Sequence, residues 1–250
     1  MNTSAVPSDT RREWYFRAAI LLAIVVGIYE ARNFEWDVVG RGYPLLLRGL
    51  GNSILIAVIS IALGAVIAVP LSVARVYGPA GIRQLAVLII EAVRATPELM
   101  IVFWIFFGVP GLTGKPMSGW TAGIAAMTII AAASLAEVMR GGLYSVSQGQ
   151  WEAAASTGLS KLQAFVHIVK PQAVRNMLPS LVAQLISLFK TTSLVYVIGV
   201  IDLFRATVIL NNVEFAPFAL YTTMAVIYLV CCSLLSSLVK RLDSQFVIIE

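Results

Sequence analysis

The sequence predicts an all-α, polytopic membrane protein with six transmembrane helices. Of its 250 residues, 59% are hydrophobic and only 12% are charged, whereas an ordinary soluble domain carries about 25% charged residues. The apolar residues also occur in long blocks, not in the stripes of helices that cover a soluble core. Lipid is therefore the expected surrounding of most of the chain. Membrane topology explains the net charge of +5 better than nucleic-acid binding does, because most basic residues stand singly between apolar blocks.

Six segments have the length of membrane spans, since a bilayer core of about 30 Å is crossed by about 20 helical residues. They are residues 14–29, 50–75, 84–108, 120–140, 178–200 and 217–239. Three arginines, the last of them Arg17, precede or open the first segment, which is also how a secretory signal begins. No small-residue cleavage site follows, so an uncleaved anchor helix is the favoured interpretation. We expect residues 1–42 to form a tail, anchor helix and linker, and residues 43–250 to form the main membrane domain.

The distribution of Lys and Arg predicts the orientation. With six spans both termini lie on one side, and that side carries eleven Lys and Arg residues against five on the other. Basic residues accumulate on the cytoplasmic side of membrane proteins. Both termini and the long connection 141–177 are therefore expected in the cytoplasm.

Glu91, Arg94, Glu98 and Lys190 fall in the interior of predicted spans, where an ionisable residue costs at least about 2.5–3.5 kcal/mol on insertion scales. Glu91, Arg94 and Glu98 stand at i, i+3 and i+7 of the third span, which predicts one shared helix face. Pro97 predicts a kink beside them. Lys190 lies in the fifth span. Two explanations stay open: the charges neutralise one another, or they line a solute pathway.

Lys190 is the strongest candidate for a pathway residue. The sequence places no carboxylate near it, and hydroxyl side chains including Thr192 and Ser193 follow directly. An unpaired cation at this depth is costly unless water, a solute or another helix reaches it. The pathway candidates are therefore Lys190, Thr192, Ser193, Glu91, Arg94 and Glu98.

The inventory of reactive side chains argues against most enzyme chemistry. Cys231 and Cys232 are adjacent within an apolar block, and His167 is the single histidine, so a metal cluster or a Ser-His-Asp triad lacks parts. The one Gly-Lys step, Gly114-Lys115, has no glycine five positions earlier and is followed by proline. It is therefore not a phosphate-binding P-loop. We expect no metal and no cofactor on this chain.

The connection 141–177 is too polar and too long for a simple turn. Its Ala-rich stretch 151–157 favours a helix, with Glu152 in the first turn. Gly158 is suited to a left-handed stop, and Ser160 to capping a second short helix that ends before Pro171. A partnerless amphipathic linker is the competing interpretation.

The order of residues in this connection is a more specific signal than its predicted helices. Glu152-Ala153-Ala154, Gly158 four positions later, and then Pro171 resemble the coupling signature of ATP-binding cassette (ABC) importer permeases. The wider frame, including Gly149, resembles the polar amino acid branch, and Arg94-Ala95-Thr96-Pro97 is similar to the Arg-Gly-Thr-Pro element of that branch. The resemblance covers about residues 43–241. Departures include Lys170 in place of Leu, Ala95 in place of Gly, and Thr191 in place of Asp or Asn.

The resemblance implies a five-helix permease core plus one extra N-terminal helix in a bacterial inner membrane. It implies two cytoplasmic ATPase subunits that carry ATP and magnesium, a second permease chain that is identical or a sister, and an external solute-binding protein. Transport would proceed by alternating access. The implied coupling residues are Gly149, Glu152, Ala153, Ala154, Gly158 and Pro171. Around residues 192–199 the sequence most resembles glutamate and aspartate permeases.

Three other functions remain to be distinguished. A secondary transporter would use an ion gradient in place of ATP. A channel or a membrane-embedded enzyme would use the charged residues of the third span without an ATPase partner.

Overall fold

The computed structural model describes residues 34–246, with side chains described as far as residue 237. The predicted anchor span 14–29 lies outside the described residues. Eight helices follow one another in the described part: α1 Asp37–Tyr77, α2 Ala80–Ala95, α3 Glu98–Thr113, α4 Gly119–Tyr144, α5 Gln148–Ser156, α6 Lys161–Ile198, α7 Leu203–Glu214 and α8 Pro217–Phe246. No strand occurs between residues 34 and 246.

Four of these helices, α1, α4, α6 and α8, are long and apolar enough to cross a membrane, and α3 is a shorter apolar helix. The predicted spans 50–75, 120–140 and 217–239 fall within α1, α4 and α8. The all-helical membrane class is thus confirmed, while the number of six spans stays a prediction. Helix α1 runs without a break across the proposed domain boundary at residues 42 and 43.

The third predicted span is not one helix. It is divided at Thr96 and Pro97 into α2 and α3, because proline lacks an amide donor and disfavours helical backbone in the residue before it. Thr96 is accordingly extended, with φ −87° and ψ 133°. The prediction that Glu98 shares a helix face with Glu91 is therefore wrong, since the two residues stand on different helices.

Helix α6 is longer than predicted. It begins at Lys161, not near residue 178, and runs through Pro171, so the prediction of a helix ending before Pro171 is wrong. A wide π-helical turn, Phe165–Val169, comes just before, and the Lys170 amide donates to the Phe165 carbonyl five residues back. Because the hydrogen-bond pattern is already shifted at this turn, the missing amide of Pro171 does not end the helix.

Helices α1 and α4 cross at close range in the centre of the bundle. A methyl group added to Gly64 of α1 would lie 2.6 Å from the Ala131 side chain of α4. Such small residues allow membrane helices to approach closely. The buried core continues through Met127 and Ile130 of α4 to Val195 at the end of α6. The crossing fixes the ends of α1 and α4 relative to each other.

A buried carboxylate caps α7 at the end of the bundle opposite α5. The Asp202 side chain accepts hydrogen bonds from the amides of Phe204 (3.2 Å) and Arg205 (2.8 Å). Burial raises the pKa of Asp202 to about 6, although these backbone hydrogen bonds oppose the shift. Ser53 of α1 accepts from the Leu203 amide at 3.1 Å. These contacts attach α7 firmly to α1.

Candidate functional site

Helix α5 is a short helix between the ends of α4 and α6. It begins at Gln148, three residues earlier than predicted, because Ser147 is extended and accepts a hydrogen bond from the Gln150 amide at 3.1 Å. Glu152 therefore lies in the second turn, and its predicted position in the first turn is wrong. The Glu152 carboxylate accepts from the Gln148 side chain at 3.1 Å.

The end of α5 is fixed by local sequence chemistry. Gly158 has φ +81°, a conformation that costs other residues free energy. Its amide donates to Ala155 at 3.0 Å, and the next amide, of Leu159, donates to Ala154 at 3.2 Å, which is the Schellman arrangement. Ser160 then caps α6 through a reciprocal pair of hydrogen bonds with Gln163. The predicted conformation of Gly158 and the predicted cap are both confirmed.

One face of α5 is anchored to the bundle. Ala154 is buried, with 1% of its surface exposed. The Trp151 ring makes an edge contact with Tyr77 of α1 at 6.4 Å between centroids, and Tyr77 makes another with Phe165 of α6 at 5.9 Å. Ala154 is therefore an anchor of α5 and is not available to a partner on its outer surface.

The opposite face of α5 is exposed and small. Gly149, Glu152, Ala153 and Ser156 are all exposed and stand at i, i+3, i+4 and i+7, which places them on one side of the helix. Two glycine or alanine positions leave the backbone accessible beside a single carboxylate. This face therefore presents little side-chain bulk around one carboxylate.

Helix α5 is held to its neighbours on both sides. The Gln172 side chain of α6 donates to Gln150 at 3.3 Å, and Asn176 donates to Ser145 at 2.8 Å. A methyl group added to Gly142 of α4 would lie 2.9 Å from the Ala173 carbonyl of α6. Pro171 lies exposed on the same stretch of α6. Because of these contacts, α5 is attached to the adjoining ends of α4 and α6.

A network of five charged residues joins α1, α2 and α4 near this end. Arg75 of α1 lies 3.0 Å from Glu91 of α2 and 2.9 Å from Glu137 of α4. Arg94 lies 3.5 Å from Glu91 and 3.8 Å from Glu137. The Arg140 Nε atom donates to Glu137 at 3.1 Å. Glu91 and Arg94 do pair, but the second carboxylate beside Arg94 is Glu137 and not Glu98.

A polar pocket of about 230 Å³ opens at the break between α2 and α3. It is lined by Val93, Arg94, Thr96, Glu98, Ile130, Ser134, Gln184 and Ser187. Its volume is below the roughly 300 Å³ at which pockets for drug-sized ligands begin, so it suits a small solute. The Glu98 carboxylate accepts from the Thr191 hydroxyl at 3.2 Å, which joins α3 to α6 at the pocket.

A polar face extends along α6 from this pocket. Asn176, Ser180, Gln184, Ser187 and Thr191 stand at i, i+4, i+8, i+11 and i+15 and are exposed or half-exposed. That spacing places them on one side of the helix. Hydrocarbon gives such groups no hydrogen bonds, so this face is suited to water, a solute or a second chain. The spacing along α6 is visible in the sequence, but the charged residues alone do not indicate that Ser134, Gln184 and Ser187 line the pocket.

Of the pathway candidates near the end of α6, Lys190 is exposed and has no ion-pair partner among residues 34–237. Ser193 is half-buried. Thr192 is buried, with 1% of its surface exposed, and its hydroxyl donates to the Phe189 carbonyl at 2.7 Å. In this structure Thr192 therefore lies in the protein core, while Lys190 reaches a free surface.

Comparison with known proteins identifies the family. The family described as "Binding-protein-dependent transport system inner membrane component" matches residues 60–247. The chain belongs to this family. The resemblance to ABC importer permeases is thereby confirmed, and the permease is a multi-pass membrane transport subunit and not an enzyme.

Relatives of similar length support the assignment. The permease is 35% identical over 206 residues to the "Probable amino-acid ABC transporter permease protein YckA" of Bacillus subtilis, covering 82% of this chain and 91% of the relative. It is 32% identical over 218 residues to the "Glutamine transport system permease protein GlnP" of Escherichia coli K12, covering 87% and 100%. A crystal structure of "an amino acid ABC transporter with histidines" superposes with a TM-score of 0.80 at 29% identity, covering 84% of this chain and 98% of that one.

Proposed function

We propose that this permease is the membrane subunit of an ATP-driven importer for a polar amino acid in a bacterial inner membrane. The observation that carries the proposal is helix α5: it is anchored through Trp151 and Ala154 and presents the small face of Gly149, Glu152, Ala153 and Ser156 outward. A linker that binds no partner protein does not require two anchoring residues and a glycine that fixes the end of its helix. An ATPase that binds this face is connected through α5 to α4 and α6.

The proposed assembly has two such ATPases, which bind ATP and magnesium, a second permease chain that is identical or a sister, and an external solute-binding protein. Both termini and α5 lie in the cytoplasm, in keeping with the Lys and Arg distribution. Helices α2 and α3 together form one crossing of the five-helix core. The extra span 14–29 precedes α1, and α1 to α8 form the transport domain, with α5 inside the connection 141–177.

The solute passes along the polar face of α6. That face carries five polar residues from Asn176 to Thr191 and adjoins the pocket that contains Arg94 and Glu98. A polar face cannot be presented to lipid without cost. Two permease chains that bring these faces together enclose a wet passage. Alternating access then follows when ATPase closure moves α5.

Two features of the permease indicate the substrate class: a pair of opposite charges at the pocket, and one further cation on α6. Glu98 and Arg94 supply opposite charges for the ammonium and carboxylate that every amino acid carries, and Lys190 adds a free cation that favours an acidic side chain. Glutamate or aspartate is therefore our first candidate. Glutamine is the second candidate, because a relative that aligns with 87% of this chain is named as a glutamine permease.

Isolation of the native complex tests the proposal. The permease is tagged and purified in mild detergent from its own membranes, and the proteins and small molecules that accompany it are identified by mass spectrometry. We expect an ATPase in a 1:1 ratio to permease chains and an external protein loaded with a polar amino acid. An assembled, transport-active permease without any ATPase would contradict the proposal and favour a secondary transporter.

A further inference from the structure

Arg75 holds a central position in the charged network. Its side chain is only 15% exposed, and it contacts carboxylates on two other helices, Glu91 of α2 and Glu137 of α4. The contact with Glu137 is an ion pair without the alignment of a hydrogen bond, whereas that with Glu91 is a hydrogen bond. A guanidinium presents several donors in a fixed fork and can therefore bridge two carboxylates at once.

The remaining strong contacts of the network stay within single helices. Arg94 pairs with Glu91 three residues earlier on α2, and Arg140 pairs with Glu137 three residues earlier on α4. Apart from Arg75, only the 3.8 Å approach of Arg94 to Glu137 joins two helices. Arg75 thus supplies most of the electrostatic attachment between α1, α2 and α4.

One end of this attachment reaches α5. Arg75 lies two residues before Tyr77, at the last turn of α1. The Tyr77 ring contacts both Trp151 of α5 and Phe165 of α6. A displacement of α5 is therefore passed directly to the turn of α1 that carries Arg75.

The other end reaches the polar pocket. Glu91 and Arg94 belong to the last turns of α2, and α2 ends at Ala95, just before the break at Thr96 and Pro97. Arg94, Thr96 and Glu98 all line the pocket. A shift of the end of α2 therefore changes the shape of the pocket.

From this continuous set of contacts we propose that Arg75 is a positioning residue that transmits the movement of α5 to the polar pocket, through Tyr77 on one side and the Glu91–Arg94 pair on the other. The proposal rests on the proposed function, since it assigns a coupling role to α5. It predicts that loss of Arg75 separates ATP hydrolysis from solute movement without preventing folding. Folding survives because each carboxylate keeps the arginine on its own helix.

The test compares Arg75→Gln with wild type in the native complex reconstituted in liposomes. We measure both ATP hydrolysis and uptake of the co-purified amino acid, and their ratio is the solute moved per ATP. The ratio is expected to fall about tenfold, a coupling loss within the range usual between distant sites, while hydrolysis and complex assembly persist. Arg48→Gln is the matched control, because Arg48 lies exposed on the same helix and has no polar side-chain partner among the described residues. It should leave the ratio unchanged.

The possible results distinguish a failure of the role proposed for Arg75 from a failure of the proposed function. An assembled Arg75→Gln complex with the wild-type ratio overturns the role of Arg75. If that variant does not assemble, Arg75→Lys takes its place: it keeps the charge but lacks the planar fork whose two terminal nitrogens each contact one carboxylate, so a reduced ratio supports the proposal and a wild-type ratio overturns it. Absence of ATP-driven uptake in the wild-type complex instead contradicts the proposed function itself.

Discussion

Gly158 shows how a single backbone conformation ends helix α5. Its φ is +81°, and a methyl group added there would have no atom within 4 Å, so backbone strain alone decides which residues are tolerated. We predict that Gly158→Val costs about 1–2 kcal/mol in this turn and uncouples ATP hydrolysis from uptake, because a β-branched residue resists a left-handed conformation.

Gly158→Asn is the matched control, since asparagine adopts the left-handed conformation far more readily. Uptake and hydrolysis are measured for both variants in the reconstituted complex. Valine should lose uptake and asparagine should keep most of it. Equal activity of the two variants, at normal expression, would contradict the role given to this turn.

Removal of the positive charge of Lys190 tests whether this residue belongs to the solute pathway. We predict that Lys190→Met lowers the uptake rate of an acidic amino acid about tenfold at low solute concentration, equivalent to about 1.4 kcal/mol, because the cation faces a free surface. Lys115→Met, at an exposed position between α3 and α4, should have little effect. The measurement is initial uptake of labelled glutamate and glutamine, and an unchanged rate for both would remove Lys190 from the pathway.

A charge exchange separates a pathway role from a purely structural pair. Glu98 is engaged by Thr191 at 3.2 Å and forms no ion pair with Lys190 among the described residues. The double variant Lys190→Glu, Glu98→Lys is therefore expected to assemble and remain inactive. Recovery of uptake would show that the two residues are simple partners.

At the scale of helices, Gly142 is a point of close approach between α4 and α6 beside α5. A methyl group there would lie 2.8 Å from the Met177 Cβ atom and 2.9 Å from the Ala173 carbonyl, whereas one at Gly141 would meet nothing within 4 Å. We predict that Gly142→Ala destabilises the permease by about 1–3 kcal/mol, as overpacking does. Gly141→Ala should be neutral or slightly stabilising, because alanine favours a helix. Thermal unfolding in detergent compares them, and equal melting temperatures would contradict the close packing.

The helices also show which features a sequence can predict. The stop at Gly158 and the cap at Ser160 depend on neighbouring residues, so local chemistry predicted both. The course of α6 through Pro171 depends on a π-helical turn at Phe165–Val169, which apolar periodicity does not reveal. The break at Thr96 was foreseen only as a kink, so Glu98 was assigned to the wrong helix.

The contacts between helices were the least predictable. Arg75 and Glu137 lie 62 residues apart in the chain, yet they contact at 2.9 Å. Only the crossing of α1 and α4 brings them together, and that crossing depends on the packing of Gly64 against Ala131. The spacing in the sequence thus indicated a Glu91–Arg94 pair within one helix as one of two explanations, but not its extension to two other helices.

At the scale of the whole molecule, the first prediction concerns topology. Ser156 is exposed at the end of α5. In a background without Cys231 and Cys232, Ser156→Cys should be labelled in intact cells only by a membrane-permeant thiol reagent. Leu112→Cys is the control, because Leu112 is 80% exposed at the end of α3 that lies away from α5. It should react with an impermeant reagent, and the reverse pattern would overturn the orientation.

The central claim is that this permease imports its solute with energy from ATP delivered through α5. Its most direct test is uptake by liposomes that contain the native complex with its external binding protein, with ATP supplied only on the side of α5 and ion gradients abolished by ionophores. Amino acid uptake is expected to require ATP and to persist without any ion gradient. Uptake that proceeds without ATP and stops when an ion gradient is abolished would contradict it.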